Sequence, residues 1–115
     1  MTARFLAAMA VLLGLQFGAV APARAAIVLP AARLTQFCAS EAEDYKDGFC
    51  TGYVLGLAYG LDGRPGSGVC MPEGISVKQV RDRVTGYFRT HPAVLRQDAP
   101  AAIALALRAG MPGRK

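Results

Sequence analysis

Apolar and polar positions along this chain recur at helical intervals. The plainest stretch is Ser76 to His91, SVKQVRDRVTGYFRTH. Val77, Val80, Val84, Tyr87 and Phe88 fall three and four residues apart, which gathers them on one helix face. Lys78, Arg81, Asp82, Thr85 and Arg89 lie on the other side. Ser76 is followed three residues on by Gln79, a capping-box spacing. Pro92 ends the helix, because proline disfavours helical geometry in the residue before it, His91. A fourth helix follows Asp98 as its cap, tolerates Pro100 in its first turn, runs through Ala101 to Ala109 and stops at Gly110.

Upstream, a short helix is predicted over Ala31 to Ala39, with Leu34, Phe37 and Cys38 facing inward. Ser40 and Glu43 have capping-box spacing, which predicts a second helix from about Glu41 to Leu61, with a break near Gly48. Asp62 to Gly68, DGRPGSG, is too rich in glycine and proline to be anything but a loop. Pro72 and Gly74 mark a second turn. No segment alternates with period two in β-branched residues. The class is all-α, a small four-helix domain.

The second helix is unusual. Glycines stand at 48, 52, 56 and 60, always four apart. Each costs a helix interior about 1 kcal/mol relative to alanine. A face without side chains lets another helix backbone approach closely. Phe49, Tyr53, Val54, Leu57 and Leu61 supply the opposing surface, and a helix apolar on nearly all sides reads as a buried central one. The same spacing pairs membrane helices, but Phe49 to Leu61 is shorter than the ~20 residues a span requires.

The first residues change the picture of the domain. Arg4 precedes an apolar run, Phe5 to Val20, and then APARAA, where Ala23 and Ala25 fit a small-x-small cleavage site. Residues 1–25 are expected to be a secretory signal peptide cut before Ala26. The alternative is an uncleaved anchor, for which the run is short. No cysteine follows the cleavage site, which argues against a lipid-anchored form. The single domain is then 26–115, periplasmic, with no membrane span left after cleavage.

Charge excludes one class of partner. The chain carries +5, of which Arg4 and Arg24 belong to the leader and Arg114 and Lys115 to the tail. The folded body is close to neutral, so nucleic-acid binding is not implied. Cys38, Cys50 and Cys70 all follow the leader, so disulfides are expected in an oxidising compartment. Their spacings of 12 and 20 residues match neither a CxxC metal site nor a haem attachment. No cofactor and no metal is expected.

Taken in order, FCTGYVLGLAYG, CMPEGISVKQVRDRVTGYFRTHP and an alanine-rich helix ending RAGMPG resemble the Rap/Tai-type immunity family of type VI secretion systems. The matching positions are Cys50, Gly52, Tyr53, Val54 and Gly56, then Cys70, Pro72 and Gly74, then His91 and Pro92. The resemblance spans about Phe37 to Gly113. It implies a small helical periplasmic protein that binds and silences a cell-wall amidase toxin. The family closes on a cysteine where this chain has Gly113, which implies one disulfide fewer. If the helices pack up and down, Cys38 meets Cys50 and Cys70 is left free near Gly113. Cys50–Cys70 is the alternative pairing.

No catalytic residue is assigned. The lone His91 reads as a helix C-terminal cap rather than a base, and no second histidine exists for a zinc site. Ser76 reads as an N-cap. Asp44 and Asp47 are more simply an exposed helix start than a carboxylate pair. Partner binding has two candidate places. One is the loop Asp62 to Val69, with Arg64 and Pro65 at its centre. The other is the basic side of the third helix, Lys78, Arg81 and Arg89, whose bland reading is a solvated face. The expected partner is another protein, an amidase toxin, with a homodimer as the other association. A periplasmic acid-stress chaperone of the HdeA type, also small, helical and disulfide-bonded, is the rival function. A structural subunit of an envelope complex is a third.

Overall fold

A computed structural model describes residues 28–41 and 43–113, so the expected leader and its cleavage before Ala26 lie outside the described residues. Helix α1 spans Ala31–Cys38, α2 Tyr45–Leu61, α3 Val77–Thr90 and α4 Ala99–Gly110; a 3₁₀ turn, Pro92–Arg96, joins the last two. The domain is all-α, and the described residues pair outside helices only as the isolated bridges Pro30 with Asp98 and Val69 with Pro112.

α3 forms as its pattern dictates. The Ser76 hydroxyl accepts from the Gln79 amide at 3.1 Å, and the Gln79 side chain accepts from the Ser76 amide at 2.9 Å. Val80, Val84 and Phe88 are buried along one stripe. Each such side chain contributes about 1.5–3 kcal/mol by leaving water. Val77 was placed in that stripe, yet it is 48% exposed. It is the first residue of the helix. The chain leaves α3 at His91, whose amide donates to the Tyr87 carbonyl at 2.9 Å.

α4 contributes the deepest layer: Ala99, Ala102, Ile103, Ala106 and Leu107 are buried. Asp98 occupies its N-cap position, without a side-chain capping bond, and Pro100 fits the first turn. α1 adds Ala31 and Leu34 to the same core. α2 packs against α1, α3 and α4.

The helix runs through Gly48 without the expected break, and two further expectations for α2 are overturned. The helix does not begin at Glu41 under a Ser40 cap. It begins at Tyr45, capped by Asp44, whose carboxylate accepts from the Lys46 amide at 2.9 Å. Glu43 has φ +71°, a left-handed conformation that no residue of a right-handed helical turn can hold. The chain reverses there because Cys38 and Cys50 are joined, with Cα atoms 5.0 Å apart. The bridge fixes α1 against α2 and leaves too little chain for an earlier helix start.

The second correction concerns the glycines. α2 is not a buried central helix with a close-packed glycine face. Gly48, Gly52, Gly56 and Gly60 are all exposed, and a β-carbon at any of them would meet nothing within 4 Å. The side turned inward is Cys50, Val54 and Ala58. These are also four apart, and also small. Both series satisfy the same period, and α2 packs on the one that still carries apolar side chains to bury.

Candidate functional site

Loop 62–70 is held at every turn. The Asp62 carboxylate accepts from the Met71 amide at 2.7 Å. The Gly63 amide donates to the Val69 carbonyl at 3.0 Å. The Ser67 hydroxyl donates to the Leu61 carbonyl at 2.7 Å and accepts from the Val69 amide at 3.2 Å. From α4, Arg108 Nε donates to the Ser67 carbonyl at 2.7 Å, and the Cys70 amide reaches the Met111 carbonyl at 2.9 Å. Gly66 and Gly68 have φ of +79° and +72°, values that a side chain would strain. Ser67 and Val69 are buried, so the loop is anchored at its base. Arg64, Pro65 and Gly66 are left at an exposed tip.

The basic residues of α3 fare differently from one another. Lys78, Arg81 and Arg89 line one open groove of about 380 Å³, with Thr35, Cys38, Asp82 and Phe88. Lys78 pairs with Asp82 on the surface, where such a pair adds little. Arg81 is turned into the fold. It forms an ion pair with Asp47, donates to Thr51 Oγ1 at 3.0 Å and donates to the Cys38 carbonyl at 2.9 Å. One guanidinium thus ties α3 to α2 and closes the C-terminal end of α1. Arg89 stays exposed at the rim.

The remaining named positions are scaffold in their contacts. Tyr53 stacks on Phe49 with ring centroids 5.7 Å apart, and Phe49 meets Phe37 at 4.9 Å. Burial raises the Tyr53 phenol above its ordinary pKa, and the Asp98 carboxylate adds to the rise. Gly74, φ +77°, turns the chain after Pro72. His91 stacks on Tyr87 at 3.9 Å, with Nδ1 3.0 Å from the Tyr87 carbonyl. Pro92 opens the 3₁₀ turn. Gly52 and Gly56 lie on the open side of α2.

Cys38 and Cys50 form the disulfide and Cys70 is a free, half-buried thiol; the Cys50–Cys70 alternative does not occur. Gly113 stands directly against Cys70: a β-carbon there would lie 2.3 Å from the Cys70 Cβ. The position where the resemblance expects a closing cysteine therefore lies directly beside Cys70. Asp44 and Asp47, weighed as a pair, serve separately as a helix cap and as the Arg81 counter-ion. The Asp47–Arg81 tie was missed from sequence, and no local pattern marks a contact across 34 residues. Among the described residues no three His, Cys, Asp or Glu side chains gather as metal ligands, and no helix is long and apolar enough to cross a membrane.

The described residues form a helical body with one disulfide and a loop braced from α4. The family described as Rap1a immunity proteins matches residues 31–113, and the chain belongs to that family. An immunity role in general, acting on a partner protein, follows. The disulfide fits an extracytoplasmic protein. No curated protein and no solved structure matches the chain significantly.

Proposed function

We propose that this chain is a periplasmic immunity protein that binds a peptidoglycan amidase delivered by a type VI secretion system and blocks its cleft. The observation that carries the reading is the braced loop 62–70 on a Rap1a-family fold. Occlusion requires no chemistry from the blocker. It requires a projection whose conformation is settled before contact, so that little entropy is lost on binding. Arg64 and Pro65 form the exposed tip of such a projection, and arginine is enriched among residues that dominate interfaces. Arg89 and Lys78, at the rim of the α3 groove, are a second contact available to an acidic patch on the enzyme.

The test is to express, in the periplasm, each amidase encoded near this gene, with and without this protein. Protection from lysis and a co-purifying complex are the expected results. Arg64→Ala should weaken the complex by about tenfold or more, the scale of a single interface anchor. Lysis unaffected by the protein, with no complex for any of these amidases, would remove the amidase reading.

A further inference from the structure

The groove between α1 and α3 is a gap that the fold leaves open. α1 packs against α2, α4 and the 3₁₀ turn rather than against α3. Arg81 crosses the gap through its bond to the Cys38 carbonyl. The floor is the buried Phe88, with Thr35, Ala39 and Thr85 on the walls. Both threonine hydroxyls donate to their own helices, to the Ala31 carbonyl at 3.0 Å and to the Arg81 carbonyl at 3.1 Å. The donors left to the groove are therefore those of its cations. Its volume, about 380 Å³, lies within the range of sites that hold a ligand.

We infer that this groove takes a short extended segment of a partner protein, with a carboxylate side chain on Arg89 and apolar side chains over Phe88. The inference rests on the family's general role as a binder of another protein, and not on the amidase reading. Arg89 carries the charge that selects the occupant. It is exposed, and it has no counter-ion among the described residues. The other cations of the groove are matched, Lys78 by Asp82 and Arg81 by Asp47. An acidic side chain thus gains an unmatched cation only at the Arg89 end, and Asp82 repels it at the other. The direction of the segment follows, as complementary charges fix register at interfaces.

Arg81 selects the conformation. Its Nη1 serves Asp47 and Thr51, and its Nη2 serves the Cys38 carbonyl. A guanidinium has about five N–H groups, so Nε–H and one hydrogen of Nη2 have no partner among the described residues. Arg81 lines the groove, where these donors are available to a backbone carbonyl. An extended segment offers one; a helix does not, because its carbonyls are bonded within it. A helix, ~10 Å across with its side chains, is also too wide for a gap that one arginine spans. From Arg81 to Arg89 the groove runs about 12 Å along α3. That is the reach of about three to four residues of extended chain. The segment that fits has an acidic residue at Arg89, small or apolar residues over Phe88, and a free carbonyl at Arg81.

The first test needs no enzyme. The probe is the peptide acetyl-Glu-Leu-Ala-Leu-amide, titrated into the purified protein and followed by amide chemical shifts. Signals from residues 35–39 and 78–89 should move, while those of loop 62–70 stay. The same peptide with lysine for glutamate should bind at least about fivefold more weakly. So should the acidic peptide on Arg89→Gln, and on Thr85→Leu, which fills the groove without changing its charge. An unfolding midpoint close to wild type shows that each variant is folded. Equal affinity for the two peptides would overturn the proposal, as would no movement at millimolar peptide. Hydrogen exchange on the complex with any amidase that binds should then show the same two segments protected. A complex in which they exchange as in the free protein would overturn the assignment to a partner and give the groove to free peptides. Failure of every amidase to bind would end the amidase reading alone, and the peptide titration would still decide the groove.

Discussion

α2 and α3 are both amphipathic in outcome, yet only one of them is amphipathic in sequence. α3 has charged residues at Lys78, Arg81, Asp82, Arg83 and Arg89, and they leave one side for Val80, Val84 and Phe88 to be buried. α2 has no charge after Asp47, so nothing in its composition says which side faces water. Its orientation is imposed from outside: by the bond from Cys50 to Cys38, and by the pairing of Asp47 with Arg81. α3 is held by its own stripe. α2 is held by its fastenings.

The sharpest way to break that contrast is to cut the fastenings. Replacing Cys38 and Cys50 by alanine should cost about 3 kcal/mol, the scale of a closed loop of this length. It should act on α2 first, read as early loss of amide protection over Tyr45–Leu61 while Val77–Thr90 stays protected. Simultaneous loss in both helices would show that α2 is not separately fastened. Arg81→Met should cost about 2 kcal/mol: a fully buried pair would lose more, but Arg81 and Asp47 are 19% and 24% exposed. Denaturant titration measures it.

Next in size is a pair of substitutions of opposite sign. Val84→Ala in α3 removes fully buried methyl groups and should cost about 2 kcal/mol. Gly56→Ala in α2 adds a methyl group to open space and removes backbone freedom from the unfolded chain, so it should stabilise the protein by up to about 1 kcal/mol. A destabilised Gly56→Ala variant would restore the close-packed glycine face and reverse the orientation of α2.

These contrasts explain what could be read from the chain. α3, its capping box and its stop at His91 were legible because polar and apolar residues alternate there with one period. The Cys38–Cys50 pairing was legible because short helices joined by a short turn must bring those ends together. The orientation of α2 was not, since Gly52 and Gly56 repeat at the same interval as Cys50, Val54 and Ala58, and period alone cannot rank two rows of small residues. The start of α2 misled because Ser40 and Glu43 have the spacing of a capping box. The turn forced by the disulfide puts Glu43 at positive φ instead. For the site, the loop was legible from its glycines and proline. The Arg108 and Ser67 bonds that stiffen it were not, because they join parts of the chain 41 residues apart.

The smallest expected effect tests the boundary between the two faces of α2. Tyr53 sits on that boundary, half-buried against Phe49, with its phenol pKa raised first by burial and then by Asp98. The unfolded chain releases this proton near its ordinary value of about 10. The folded chain holds it to a higher pH. The folded state therefore binds more protons than the unfolded state in that window, and stability must fall as pH rises through it. Below the unfolded value the phenol is neutral in both states, and its full contribution to stability is present. Tyr53→Phe removes the ionisation, so its unfolding midpoint should decline less than wild type between about pH 9 and pH 11. The comparison is best made with Cys70→Ser in both proteins, which keeps thiol–disulfide exchange with the Cys38–Cys50 bridge out of the measurement. Identical alkaline slopes would mean that the Tyr53 ring is fully hydrated, and that α2 is rotated away from the packing described above.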